Sequence, residues 1–285
     1  MSFFNKKINA WITGHNGFIG KELVKNLSQE FEIFKISRND IIESNAFIAE
    51  KISINSIKKD ELKNFKNNFL FHLATFYNPN PQSTKEIHKI IESNLLFGLR
   101  LFHNLGYDFF TKILLTQSYT EIHKNISMNI YSQTKSIFAS ELEKYIPEKL
   151  IKVYIYDTFG LSDKRKKLIN IWLQQLVLNQ PVTVFSEKTK INLSSNKFIS
   201  KIISKINFIN PGEYEVRSQV EMTLIELFYF LKDLTNSKSK LILKNDNPIE
   251  IPIKYQSLSE LVKINYSLKE FEKDITEILN KEINI

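Results

Sequence analysis

Gly14, Gly17 and Gly20, spaced three apart, follow an apolar run from Ile8 to Ile12 and precede a helical pattern with Leu23, Val24 and Leu27 on one face. The chain holds only seven glycines, so three in one motif constrain the fold more than any other feature. Phe31 to Ser37 then reads as a second strand. Strand, glycine turn, helix, strand is the opening unit of a dinucleotide-binding fold. Glycine lets the backbone turn tightly and approach a pyrophosphate, and the helix N-terminus offers free N–H groups and a positive dipole end to that anion. A glycine turn without a ligand is the alternative.

The residues after the second strand bear on which dinucleotide binds. A 2′-hydroxyl calls for Asp or Glu there. This chain has Ser37-Arg38-Asn39-Asp40. A small hydroxyl followed by a guanidinium suits a 2′-phosphate, so NADP(H) is favoured over NAD(H). Asp40 is a competing contact of the NAD type, and an ordinary surface arginine is the other reading of Arg38.

Composition narrows the class by exclusion. No stretch of about 20 apolar residues exists, so no membrane-spanning helix is expected. The N-terminus lacks a signal-peptide core. There are no cysteines, which removes disulfide scaffolds, thiolate metal sites and cysteine nucleophiles. A cytoplasmic location fits. The net charge of +8 comes from cations scattered along the chain. No Arg-rich or aromatic-interleaved block marks a nucleic-acid surface.

Further along, Asn68 to Thr75 reads as a strand, followed by a turn-rich loop from Phe76 to Pro81 and a helix over about 83–105. His72 reads as a packed strand histidine, and no second histidine stands at ligand spacing, so no metal site is expected. Lys112 to Ser118 is another buried-type strand. Tyr131-Ser132-Gln133-Thr134-Lys135 opens a helix running to Tyr145, and positions four apart share a helix face. A lysine ammonium beside a phenol is expected to lower its pKa. A tuned tyrosine can pass a proton to or from a carbonyl or alcohol oxygen, and Ser118 can hydrogen-bond the same oxygen. With 11 tyrosines, about one Tyr-x-x-x-Lys match arises by chance. Tyr145 to Lys149 is such a match, broken by Pro147.

These motifs together resemble the extended short-chain dehydrogenase/reductases, over Ile8 to about Leu176. Thr13-Gly14-x-x-Gly17-x-x-Gly20 is similar to the family's nucleotide loop and His72-Leu73-Ala74 to its fourth-strand segment. Asn94 stands where the family has a structural helix Asn. Ser118, Tyr131 and Lys135 resemble its catalytic set. The resemblance implies cofactor contacts from Gly14, Gly17, Phe18, Ile19, Gly20, Leu73, Ala74, Thr75, Thr116, Tyr131 and Lys135, beside Ser37 and Arg38. The run Tyr156-Asp157-Thr158-Phe159-Gly160 through Asp163-Lys164-Arg165-Lys166-Lys167 resembles CDP-abequose synthase-like reductases, as does the short gap between Ser118 and Tyr131. That branch implies NADPH-dependent reduction at C4 of a nucleotide-linked 4-keto-deoxysugar, for surface polysaccharide sugar biosynthesis. Thr75, Arg165, Lys166 and Lys167 are then candidate substrate contacts. Cations after a strand suit a nucleotide diphosphate; a solvated basic turn is the alternative. The family's later Tyr-x-Asp-Asp is replaced here by Ile191 to Phe198, which lacks the acidic pair.

The expected fold is α/β: a Rossmann-type doubly wound parallel sheet over residues 1–165, with room to recruit later segments, and a smaller C-terminal domain over 166–285, mainly substrate-binding. The tail from Ser257 to Ile283 reads as two amphipathic helices. A homodimer is expected, with no nucleic-acid or membrane partner. Two other functions stay open: a nucleotide-sugar C4 epimerase that retains its cofactor, and a non-catalytic NADP-binding sensor or scaffold. Calorimetry should show NADPH binding more tightly than NADH. Arg38→Ala should remove about 1.5–3 kcal/mol of NADPH affinity, the size of a hydrogen bond to a charged group.

Overall fold

The computed structural model describes residues 8–27, 30–37, 49–53, 65–122, 128–244, 246–249, 251 and 253–283. Arg38, Asn39 and Asp40 lie outside the described residues.

The N-terminal half alternates strand and helix. It comprises β1 (Ile8–Thr13), α1 (Gly20–Leu27), β2 (Phe31–Ser37), β3 (Ala49–Ser53), β4 (Asn68–His72), α2 (Thr84–Ile91), α3 (Phe97–Leu105), β5 (Lys112–Ser118), α4 (Ile130–Tyr145) and β6 (Leu150–Ile155). Two later strands, β10 (Gly212–Val216) and β13 (Gln256–Ser257), pair into the same sheet. The sheet has eight strands in the order β13-β10-β6-β5-β4-β1-β2-β3, every pairing parallel. Strand order reverses between β1 and β4, and a doubly wound sheet binds its ligand outside the carboxyl ends at such a point.

Both faces of the sheet are covered, so its strands are apolar on both sides. Along β1 the side chains alternate. Ala10 and Ile12 enter one core with Leu23 and Leu27 of α1. Trp11 enters the other with Phe97, Leu101 and Phe102 of α3 and Phe138 and Leu142 of α4. The remaining elements are β7 (Asp157–Phe159), α5 (Leu168–Val177), β8 (Val182–Val184), β9 (Lys190–Ser195), α6 (Asn196–Ile203), β11 (Glu221–Thr223), α7 (Leu224–Leu234), β12 (Leu241–Leu243), α8 (Leu258–Leu261) and α9 (Leu268–Ile278). They build a three-stranded sheet, β11-β9-β7, and the pair β12-β8 beside the main sheet. Among the described residues no helix is long and apolar enough to cross a membrane.

Two boundaries differ from the sequence expectation. β4 stops at His72 rather than Thr75, because the Leu73 and Ala74 amides turn to donate to Thr13 Oγ1, both at 3.2 Å. The long helix after the loop widens into a π turn over Glu92–Leu96 between α2 and α3. Asn94 sits in that turn, buried, as such turns often are at functional sites. Its Oδ1 accepts from Phe76 N at 2.7 Å and Thr75 Oγ1 at 3.1 Å, and its Nδ2 donates to Thr134 Oγ1 at 3.4 Å. One amide thus ties the loop after β4 to α4. Asn94→Ala should cost about 1–3 kcal/mol in chemical denaturation, since it strands the polar groups around it.

Candidate functional site

The cleft at the carboxyl ends of the strands has a volume of about 1340 Å³. Its floor is the turn between β1 and α1. Gly14 has φ +69°, and a Cβ there would stand 2.7 Å from Ala74 N. Gly20 opens α1 where a Cβ would collide with the Gly14 carbonyl oxygen. Gly17 N donates to Gly14 O at 2.9 Å, closing the turn. Thr13 locks it to β4, with its Oγ1 3.1 Å from His72 Nδ1. Burial pushes His72 down to about 3, helped by the Lys135 charge, so it is a neutral packed histidine. A close-packed glycine turn running into an open helix start fits the pyrophosphate of a dinucleotide.

Phe18, Ile19, Leu73, Thr75 and Thr116 line the same cleft. Ala74, expected as a cofactor contact, is not among the lining residues; its amide donates to Thr13 Oγ1 at 3.2 Å. Ser37 ends β2 but is not among the lining residues, whereas Lys35 is.

The catalytic candidates meet on the opposite wall. Ser118 ends β5 and caps a 3₁₀ turn, Tyr119–Glu121. Its Oγ lies 2.9 Å from Thr120 Oγ1, which lies 2.6 Å from Ser132 Oγ on α4. Asn129 caps α4 through Ser132 N at 3.0 Å, placing Tyr131 in the first turn. Lys135 follows one turn later, buried, with Nζ 5.9 Å from the Tyr131 ring centroid. The broken match fares as expected: Tyr145 ends α4 and is exposed.

The expectation that Lys135 lowers the Tyr131 pKa is not met. Burial pushes the phenol well above its ordinary value and the Glu121 carboxylate adds to this; a hydrogen bond from Thr75 pulls the other way. Burial also lowers Lys135, against the pull of Glu121. Desolvation outweighs the charge pair because both partners are out of water.

Within the basic run after β7, Arg165 and Lys167 are held by neighbouring side chains, whereas Lys164 and Lys166 are exposed. Arg165 forks onto Asp163, with Nε to Oδ1 at 2.6 Å and Nη2 to Oδ2 at 2.7 Å, and donates to Thr158 Oγ1 at 2.9 Å. Its guanidinium lies 4.1 Å from the Phe18 ring centroid, against the glycine turn. Lys167 Nζ lies 4.8 Å from the Tyr77 centroid, and Tyr77 meets Tyr131 edge-on at 5.1 Å. Burial raises Asp157, and Lys167 counters it. Lys166 lines the cleft but is exposed. Tyr77, Tyr119 and Asp157 line the cleft and escaped the sequence reading as site residues. Asp157 alone lay inside a quoted motif; the others sit in loops with no periodic signal.

A model of the NAD dependent epimerase/dehydratase family matches residues 10–206. No curated protein gives a significant sequence match. Among solved structures, the chain is similar to UDP-N-acetylglucosamine 4-epimerase from Methanobrevibacter ruminantium M1 in complex with UDP-N-acetylmuramic acid. Identity is 18% and the TM-score 0.73, over 98% of this chain and 99% of that one. It is also similar to UDP-glucose 4-epimerase from Thermotoga maritima with UDP-glucose, at 15% identity and TM-score 0.74, over 97% and 100%. A third is UDP-glucuronic acid 4-epimerase from Bacillus cereus in complex with UDP-glucuronic acid and NAD, at 12% and 0.74, over 96% and 99%. At these identities the likeness establishes the Rossmann-type fold.

Gly14→Ala should strain a left-handed backbone and wedge a methyl against Ala74, costing roughly 1–3 kcal/mol in denaturation. Dinucleotide affinity by calorimetry should fall at least about tenfold, since the displaced turn no longer meets the pyrophosphate.

Proposed function

Because the chain belongs to the NAD dependent epimerase/dehydratase family, we propose that it is an NADPH-dependent oxidoreductase reducing C4 of a nucleotide-linked 4-keto-deoxysugar. The observation that supports this most is Ser118, Tyr131 and Lys135 sharing one cleft with Arg165 and Lys167. A nicotinamide dinucleotide seated on the glycine turn supplies the hydride. Tyr131 keeps its proton at neutral pH, since burial raises its pKa, and delivers it from Oη to the oxygen developing at C4. Ser118 Oγ donates to that oxygen and stabilises its growing charge. Lys135 compensates the phenolate left behind and holds the nicotinamide ribose. Arg165 and Lys167 receive the diphosphate, Thr75 and Lys166 flank the sugar nucleotide, and Arg38, outside the described residues, is assigned the 2′-phosphate.

In this reading residues beyond 166, apart from β10 and β13, build the substrate side of the cleft. The protein works as a homodimer, supported by the exposed apolar Leu96 in the π turn and Ile137 on α4. A second reading, C4 epimerisation with retained cofactor, is favoured by the three structural relatives above, each named as a 4-epimerase.

The test is a panel of nucleotide 4-keto-deoxysugars with NADPH. The expected outcome is stoichiometric NADPH oxidation and a 4-hydroxy product by mass spectrometry. Interconversion of 4-hydroxy epimers without net NADPH loss would establish the epimerase instead. In the same assay Tyr131→Phe should lower kcat by roughly 10²–10⁴-fold, the size of a general-acid contribution, with little change in cofactor affinity. Tyr145→Phe should be near neutral.

A further inference from the structure

Glu121 stands three residues after Ser118, at the end of the 3₁₀ turn. Its Oε1 accepts the Ser118 backbone N–H at 2.6 Å, while Ser118 Oγ accepts from Thr120 N at 3.4 Å. The two side chains therefore close the turn reciprocally. The carboxyl is partly buried, and groups from two further elements act on it or feel it: Tyr131 and Lys135 on α4, and Lys152 and Tyr154 on β6. Lys254 Nζ donates to the adjoining Ile122 carbonyl at 3.3 Å. The Lys135 charge also acts on the neutral His72 of β4. Glu121 is the carboxylate that acts on Lys135. A buried ammonium without a counter-charge gives up its proton readily.

Resting on the reductase reading above, we propose that Glu121 is a positioning residue: its carboxylate pins the Ser118 turn, which Thr120 ties to Ser132 of α4 at 2.6 Å, and it stands as the counter-charge to Lys135 on that helix. Burial pushes Glu121 up to about 7, against the pull of Lys135, the Ser118 amide and Lys152. It is therefore charged above neutrality and protonated below. When charged it raises the proton affinity of both Lys135 and Tyr131. Removing the charge lets both lose their protons at lower pH, so the alkaline limb of the rate profile moves down. Tyr77, Arg165 and Thr75, which also act on Tyr131, are untouched by that change.

Glu121→Gln keeps an oxygen acceptor for Ser118 N–H and removes the charge. Its kcat with NADPH and the keto-sugar nucleotide should match wild type near pH 6, where the native carboxyl is already neutral. Near pH 9 it should be at least about tenfold lower, the effect of a limb shifted by one pKa unit. Glu121→Asp keeps the charge on a shorter arm and serves where the Gln variant does not fold by circular dichroism. It should retain the wild-type limb at reduced amplitude. Fluorescence titration with NADPH, or NADH where that binds instead, at the same two pH values needs no sugar. There Glu121→Gln should lose affinity near pH 9 only. This second arm reads Glu121 even where wild type turns over no keto-sugar, which separates its failure from that of the reductase reading. Equal behaviour of Glu121→Gln and wild type near pH 9 in both arms overturns the proposal. So does an equal deficit at both pH values, or a shifted limb in Glu121→Asp.

Discussion

The space between Gly14 and the backbone of Leu73 and Ala74 holds a hydrogen and nothing larger, and the cleft depends on that contact. A Cβ at Gly14 would meet Ala74 N and the Leu73 carbonyl carbon at 2.7 Å. The Thr13 hydroxyl uses the same closeness, accepting both amides at 3.2 Å while it pairs with His72 Nδ1. β1 and β4 are neighbours where the strand order reverses. Three hydrogen bonds from one buried threonine therefore set both lips of the opening at once. The interactions are short-range, so the opening is built into the folded sheet before any ligand arrives.

Desolvation governs the chemistry around that opening. His72, Tyr131, Lys135, Asp157 and Lys167 all shift away from their charged forms, and burial is the largest cause for each. A lysine beside a tyrosine in water would favour the phenolate. Here the ammonium is itself short of solvent and cannot outweigh the loss of water around the phenol. The result favours a proton donor over a base at Tyr131, which matters for the direction of the chemistry.

Local signals were legible in the sequence and convergent ones were not. The glycine spacing, the strand segments and the Tyr131–Lys135 interval each lie within one element, where period and spacing report directly on geometry. β13 is two residues long and pairs with β10, leaving no period to detect. Glu121 and Tyr77 belong to loops brought together by β4 and β5, and Lys254 reaches Ile122 across 132 positions. The missing acidic pair was visible as a departure, but its replacement was not interpretable. In the fold Ser195 caps α6 by accepting from Phe198 N at 3.3 Å, and Asn196 Nδ2 donates to Phe18 O at 3.1 Å. Neutral side chains at the start of α6 thus hold the glycine turn across 178 positions.

The same turn is braced by the run after β7, where Arg165, Lys166 and Lys167 are unequal. Arg165 is fixed before any anion arrives: Asp163 takes one edge of its fork, Thr158 another N–H, and the plane rests on Phe18. Lys167 is held against Tyr77 and balanced by Asp157, whereas Lys166 stays in solvent. A side chain already ordered loses little further entropy on binding, so the attraction of an anion to Arg165 would be offset less than at Lys166. Lysine in place of Arg165 would keep the charge but could neither fork onto Asp163 nor stack on Phe18. Phe18 therefore joins the two halves of the cleft, its carbonyl held by Asn196 and its ring by Arg165. Displacement of the basic turn would be felt at the glycine turn through that one residue.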